Sequence, residues 1–322
     1  MKKCIIPAGQ TPSGEVIVSG AKNSAIKLLS AALLSEEKTK IENFPTQLID
    51  VFYEINFIRQ FGIDVVIDHI ADAIMITPNT YRKVEFSNMD MNLPIRTTYL
   101  LAAFQLLREG EAYIPYPSGD NLGLRGYDLH LVVWKQFGYD VNLEENYIYL
   151  KKQNAVRSIE INFPYFSIGA TENALLCASI NNSITIINNA YISPEVYDLI
   201  SMLKLMGVRI RILGGSCIEI EGNRNLRGVN YTVMPDRIEA ITWLIYGILS
   251  GGEIMIKNVP FESLKVPLIY IGYSGVDILK SSDTILINKS CVGRYGIQPF
   301  EMACGSMPGI ISDMQLFLSY WH

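Results

Sequence analysis

Four short segments place small or polar residues just ahead of an apolar run, the setting in which a backbone can hold an anion. Gly20-Ala21-Lys22-Asn23-Ser24-Ala25 puts a cation and an amide on a glycine-led turn. Ser167-Ile168-Gly169-Ala170-Thr171-Glu172-Asn173 offers a hydroxyl, small residues and bare backbone. Pro235-Asp236-Arg237-Ile238-Glu239 carries three charges in one turn, and Pro308–Gln315 joins a Pro-Gly turn to a helix start bearing Asp313. Free N–H groups and the helix dipole favour negative charge at such starts. Ser, Asp and Asn also cap helices there, and Asp236 or Ser312 needs no further role. Lys22 differs, because a cation at a helix N-terminus opposes the dipole and calls for an anion beside it.

A second segment suited to ligand chemistry runs from Pro117 to His130. It holds three glycines, the carboxylates Asp120 and Asp128, and Arg125. Such a strip can fold over a ligand, and Arg125 can clamp a phosphate or carboxylate through two parallel hydrogen bonds. His130, two residues after Asp128, reads more readily as a structural side chain.

The elements that must position these residues form an internal repeat. Phe61-Gly62-Ile63, Phe137-Gly138-Tyr139, Met206-Gly207-Val208 and Ser274-Gly275-Val276 each close an amphipathic run, at intervals of about 70 residues. Glycine past a helix end takes the left-handed conformation without a Cβ penalty. A strand pair follows each: Val65–Asp68 with Ile74–Thr77, Val141–Leu143 with Tyr147–Leu150, Ile210–Leu213 with Cys217–Ile220, and Ile278–Leu279 with Thr284–Ile287. Other helices are expected to start near Lys22, Ile95, Ala170, Arg237 and Asp313, with strands at Ile114–Tyr116, Ile184–Asn188 and Ile254–Asn258 between. The predicted fold class is α/β (α+β), built from β-α-β-α-β-β units, four of them complete and a fifth begun.

Composition narrows the functional classes. A chain of 322 residues fits two domains better than one. A net charge of −5 without a basic stripe argues against nucleic-acid binding. No apolar run reaches the length of a membrane span, and Met1–Pro7 has two lysines but no apolar h-region. Five scattered cysteines without C-x-x-C spacing read as reduced thiols, neither disulfides nor metal ligands. The cytoplasm is the expected compartment, and no metal is expected.

These segments, in this order and spacing along the whole chain, resemble the enolpyruvyl transferases, specifically the UDP-N-acetylglucosamine 1-carboxyvinyltransferase branch. The shikimate branch shares the fold but carries Ser-Lys-Ser where this chain has Ala21-Lys22-Asn23. The resemblance implies two lobes with the active site between them. One lobe is expected over 21–231; the other joins 1–20 to 232–322 and is incomplete, with a partner chain or a second copy completing it. It further implies transfer of the enolpyruvyl group of phosphoenolpyruvate to the 3′-hydroxyl of UDP-N-acetylglucosamine, the first step of peptidoglycan precursor synthesis, without a cofactor.

By the same resemblance Lys22 and Arg125 hold the anionic groups of phosphoenolpyruvate, with the substrate-binding Arg96 nearby. Asn23, Asp128, Leu129, Ser167, Ile168 and Gly169 contact the sugar nucleotide, and Asp313 removes the hydroxyl proton. Asp120 stands where most of the family has a cysteine in a mobile loop, which implies resistance to fosfomycin, an alkylator of that cysteine. Acting as an acid, Asp120 would need burial to outweigh the pull of Lys22 and Arg125 toward its charged form. Gly126 replaces a family proline, and Tyr165 stands where a lysine is common. Two other readings remain open: a non-catalytic sugar-nucleotide binder, and a secondary-metabolism transferase acting on another nucleotide.

Overall fold

The computed structural model describes residues 11–118, 126–153 and 158–301. The chain divides into two compact units: Lys22–Met234, and the described parts of Met1–Ala21 and Pro235–His322.

Strand β1 (Ser13–Ile17) comes first, followed by the larger unit and its three repeats. The first repeat comprises α1 (Lys22–Ala32), β2 (Thr39–Glu42), α2 (Ile49–Gln60), β3 (Asp64–Asp68) and β4 (Ala73–Thr77). The second has α3 (Ala102–Glu109), β5 (Glu111–Pro115), α4 (Asp128–Gln136), β6 (Tyr139–Leu143) and β7 (Tyr147–Lys152). The third opens with β8 (Ser158–Asn162) and runs through α5 (Ile168–Ser179), β9 (Ile184–Asn188), α6 (Pro194–Met206), β10 (Arg209–Leu213) and β11 (Cys217–Glu221). Strand β12 (Asn230–Thr232) closes the unit. The smaller unit adds α7 (Arg237–Ser250), β13 (Glu253–Lys257), α8 (Phe261–Tyr273), β14 (Leu279–Lys280) and β15 (Ile285–Ile287).

One sheet pattern recurs because each repeat ends in a hairpin that folds back beside the strand lying between its two helices. The third repeat orders its strands β8-β9-β11-β10, with β8 parallel to β9 and the other pairs antiparallel. The same order appears as β12-β2-β4-β3 and as β1-β13-β15-β14, and the second repeat gives β5-β7-β6. The opening strands of two repeats are exchanged along the chain. Strand β1 directly precedes α1 yet pairs in parallel with β13, while β12 directly precedes α7 yet pairs in parallel with β2.

Glycine punctuation sets the helix ends. Gly62, Gly138, Gly207 and Gly275, just past α2, α4, α6 and α8, have φ of 69°, 77°, 110° and 83°, a region costly for any residue with a Cβ. Two helices are buried almost all round, α1 from Ser24 to Ala32 and α5 from Ala170 to Ser179. Their alanines and serines allow close packing, and they form the core of the larger unit with α4 and α6 beside them. In the smaller unit Ile241, Leu244 and Ile245 of α7 meet Ile254 and Ile256 of β13 and Leu264 and Ile271 of α8.

The helix expected from Ile95 differs in detail. Arg96–Leu101 is a 3₁₀ stretch, and α-geometry begins only at Ala102. Thr97 breaks the helical dihedrals there, in keeping with the poor helix propensity of adjacent β-branched residues.

Candidate functional site

Within the larger unit three chain segments bring polar groups together at the starts of α4 and α5. Ser167 caps α5, its Oγ accepting from the Ala170 N–H at 3.2 Å. The Thr171 hydroxyl donates to the Ser167 carbonyl at 2.8 Å and accepts from the Tyr191 N–H at 3.1 Å, which fixes the entering loop. Asp128 opens α4, and the phenol of Tyr165 donates to its Oδ2 at 2.7 Å. That bond, with some loss of solvent, raises the pKa of Tyr165 above the ordinary phenol value. Arg96 reaches across from the 3₁₀ stretch and donates through Nη2 to the Gly126 carbonyl at 2.6 Å.

The two helix starts meet through an aromatic wedge. His130 of α4 is buried and stacks on Tyr99, ring centroids 3.7 Å apart. Gly169 lies against this stack: a Cβ there would come within 2.5 Å of the Tyr99 hydroxyl and 3.3 Å of His130 Cε1. Glycine is therefore required by the close approach of α5 to the stack. Burial, aided by the nearby Arg96 and opposed by Asp128, pushes His130 down to about 3, so the ring is neutral near pH 7. Its burial and its stacking on Tyr99 make it a spacer between the two helix starts. Leu129 is buried beside it and Ile168 is half-buried in the first turn of α5.

Lys22 begins α1 of the same unit, and its demand for an anion has an answer that sequence reasoning missed. Lys22 Nζ pairs with Asp50 Oδ2 on α2 at 2.5 Å, with both side chains partly open to solvent. Asn23 follows it, exposed. Behind this first turn lies a buried charge cluster, equally unforeseen. Lys27 of α1 pairs with Glu172 of α5 at 3.5 Å, both nearly inaccessible. Glu54 of α2 accepts from the Ser30 hydroxyl at 3.0 Å and is fully buried. Desolvation lifts Glu54 to about 8 and Glu172 to about 7, with Lys27 pulling the other way in both. At 3.5 Å the Lys27–Glu172 contact is an ion pair with poor hydrogen-bond geometry. The other carboxylate oxygens, Glu54 Oε2 and Glu172 Oε2, have no hydrogen-bond partner among the described residues.

The structure thus gathers Arg96, Asp128, Leu129, Ser167, Ile168 and Gly169 around two adjoining helix starts. Three other expected site residues, Asp120, Arg125 and Asp313, lie outside the described residues. Asp236 caps α7, accepting from the Ile238 and Glu239 N–H groups. Among the described residues no group of three His, Cys, Asp or Glu side chains is arranged to hold a metal. No described helix is long and apolar enough to cross a membrane.

The family model of EPSP synthase (3-phosphoshikimate 1-carboxyvinyltransferase) matches residues 6–315. The chain belongs to the enolpyruvyl transferase family. Curated relatives of this enolpyruvyl transferase include the UDP-N-acetylglucosamine 1-carboxyvinyltransferases of Beijerinckia indica and Orientia tsutsugamushi, 32% and 33% identical. Each alignment covers 98% of this chain and 74% of the relative. Among solved structures, the enolpyruvyl transferase NikO from Streptomyces tendae superposes with a TM-score of 0.77 at 22% identity, over 87% of this chain and 66% of NikO. EPSP synthase from Acinetobacter baumannii gives 0.75 at 15% identity, over 96% of this chain and 71% of its own. At those identities the likeness is one of fold.

Proposed function

We propose that this chain transfers the enolpyruvyl group of phosphoenolpyruvate to the 3′-hydroxyl of UDP-N-acetylglucosamine, releasing phosphate, as the first step of peptidoglycan precursor synthesis in the cytoplasm. The observation that carries the reading is the pairing of two helix starts, α4 and α5, with Arg96, Asp128 and Ser167–Gly169 around them. Helix starts supply oriented N–H donors for the phosphates of a nucleotide at no cost of reorganisation. The names of the relatives, similar along almost the full chain, support the same substrate pair.

In this reading Lys22, Arg96 and Arg125 bind the carboxylate and phosphate of phosphoenolpyruvate. Asn23, Asp128, Leu129, Ser167, Ile168 and Gly169 hold the sugar nucleotide. Asp313 takes the proton from the 3′-hydroxyl as its oxygen bonds to C2 of phosphoenolpyruvate, and Asp120 gives a proton to the methylene carbon. The resulting tetrahedral adduct then loses a proton from that carbon while the C2–O bond to phosphate breaks, restoring the double bond. Fixed cations and helix dipoles favour the charge that develops along this path. The test is phosphate release by the purified chain from phosphoenolpyruvate plus UDP-N-acetylglucosamine, which should be absent when either substrate is omitted. Sugar-nucleotide binding with no phosphate release would favour a binder and overturn the transferase reading.

One observation favours a second acceptor. Tyr165, which holds Asp128, stands where the family commonly has lysine, so a cation is replaced by a neutral phenol beside the acceptor. A panel of other nucleotides in the same assay separates the two: faster turnover with one of them would assign the chain to that acceptor.

A further inference from the structure

Asp198, on α6, is almost fully buried and gathers three donors from separate parts of the larger unit. The Ser24 hydroxyl of α1 donates to Oδ2, which also accepts from the Met234 N–H at 3.2 Å. The Tyr231 phenol of β12 donates to Oδ1 at 2.6 Å and to the Asp198 carbonyl at 3.1 Å. The position of these donors along the chain is what gives the carboxylate its meaning. The larger unit runs from Lys22 to Met234, so Ser24 and Met234 lie beside its two ends. One buried carboxylate ties those ends together and anchors them to α6. Ser24 is itself fully buried, on the helix turn that also carries Lys22 and Asn23.

We propose that Asp198 is a positioning residue that sets the first turn of α1, and through it the direction of Lys22 toward the phosphoenolpyruvate anion. The proposal rests on the reading of Lys22 given above. Tyr231 and the Met234 amide fix the carboxylate; the carboxylate fixes Ser24; Ser24 sits two residues from Lys22. A displacement of about 1 Å at a binding group is enough to lower reactivity about a hundredfold, so a clasp on this turn acts on the anion without touching it.

Ser24→Ala cuts the link to α1 and leaves Asp198 its other two donors. The expected result is a KM for phosphoenolpyruvate raised at least about tenfold, with a smaller rise in the KM for the sugar nucleotide, of whose six expected contacts only Asn23 lies on this turn. Asp198→Asn should act in the same direction, and the double variant should be no worse than the more damaging single one, the signature of coupled residues. Additive effects of the two substitutions would show Ser24 acting on the ligand directly and overturn the proposal. Equal rises in both KM values would assign Asp198 a general structural role and overturn it as well. Amide hydrogen exchange over Lys22–Leu28, measured without substrate, keeps the clasp separate from the assigned reaction. Exchange in this turn should accelerate at least about tenfold in Ser24→Ala while α6 is unchanged. Unchanged exchange refutes the clasp even in an active enzyme. Faster exchange in a chain that shows no turnover supports the clasp and removes the reading of the reaction.

Discussion

Replacing Glu54 with glutamine should flatten the pH dependence of stability of the larger unit. Glu54 is fully buried, and desolvation lifts its folded pKa to about 8 from an ordinary 4.5. Below 4.5 both folded and unfolded chains hold the proton, and the folded state has its full stability. Between 4.5 and 8 the folded chain keeps a proton that the unfolded chain has released, so stability falls as pH rises, by at most about 1.4 kcal/mol per pH unit. Above about 8 both states are ionised and the loss is complete. Integrated from pH 5 to pH 8, the contribution is about 3 kcal/mol, a large share of the 5–15 kcal/mol typical of a domain. Glutamine matches the neutral carboxyl in shape, and its carbonyl can still accept from Ser30. The assay is urea denaturation at the two pH values, followed by the fluorescence of Trp134, which is buried in the same unit. Wild type should lose stability over this interval, and E54Q should remove about 3 kcal/mol of that loss. The residual slope combines Glu172 and Asp198, both raised by burial, with His130, whose depressed pKa acts in the opposite sense below about 6.5. Parallel losses in the two proteins would refute the argument, since Glu54 would then be ionised in the folded chain.

Two further outcomes follow from the site. Gly169→Ala should cost about 1–3 kcal/mol of stability by overpacking against Tyr99 and raise the KM for the sugar nucleotide. Tyr99→Phe in the same chain removes the hydroxyl that the new methyl meets at 2.5 Å, so it should recover part of both losses; no recovery would place the strain elsewhere. Asp50→Asn removes the carboxylate that competes for Lys22. Exposed pairs of this kind are worth about 0.2–1 kcal/mol, so calorimetry should show phosphoenolpyruvate binding tightened a few-fold at most, and weaker binding would mean that Asp50 orients Lys22 for the ligand.

Much of the architecture is legible in the residues. Gly62, Gly138, Gly207 and Gly275 mark helix ends, and all four adopt the left-handed backbone that the spacing predicts. The hairpins that follow them fall where the alternating pattern puts them, because turn chemistry and period-two alternation are local signals. The exchange of β1 and β12 is not legible in the strands themselves, since three to five residues carry no mark of a distant partner; only the family resemblance assigns 1–20 to the later lobe. The site shows the same division. A glycine at position 169 and a serine at 167 advertise a helix start, but Tyr99 and His130, which explain the glycine, sit on other elements. Lys27, Glu54 and Glu172 read as solvent-facing charges on helices, and only the meeting of side chains from α1, α2 and α5 in the core takes them out of water. Asp198 looks like one polar residue among several on α6 until the ends of the unit are seen to meet on it.

The exchange of opening strands also imposes an order on biosynthesis. Strand β1 leaves the ribosome before the larger unit, yet its partner β13 lies more than 200 residues later. At about 5–20 residues per second, β1 waits roughly 10–50 s with one edge unmatched. During that interval the whole stretch from Lys22 to Met234 emerges with every strand it needs, β12 included. The nascent chain can therefore finish the larger unit first and close the smaller one around a segment made long before.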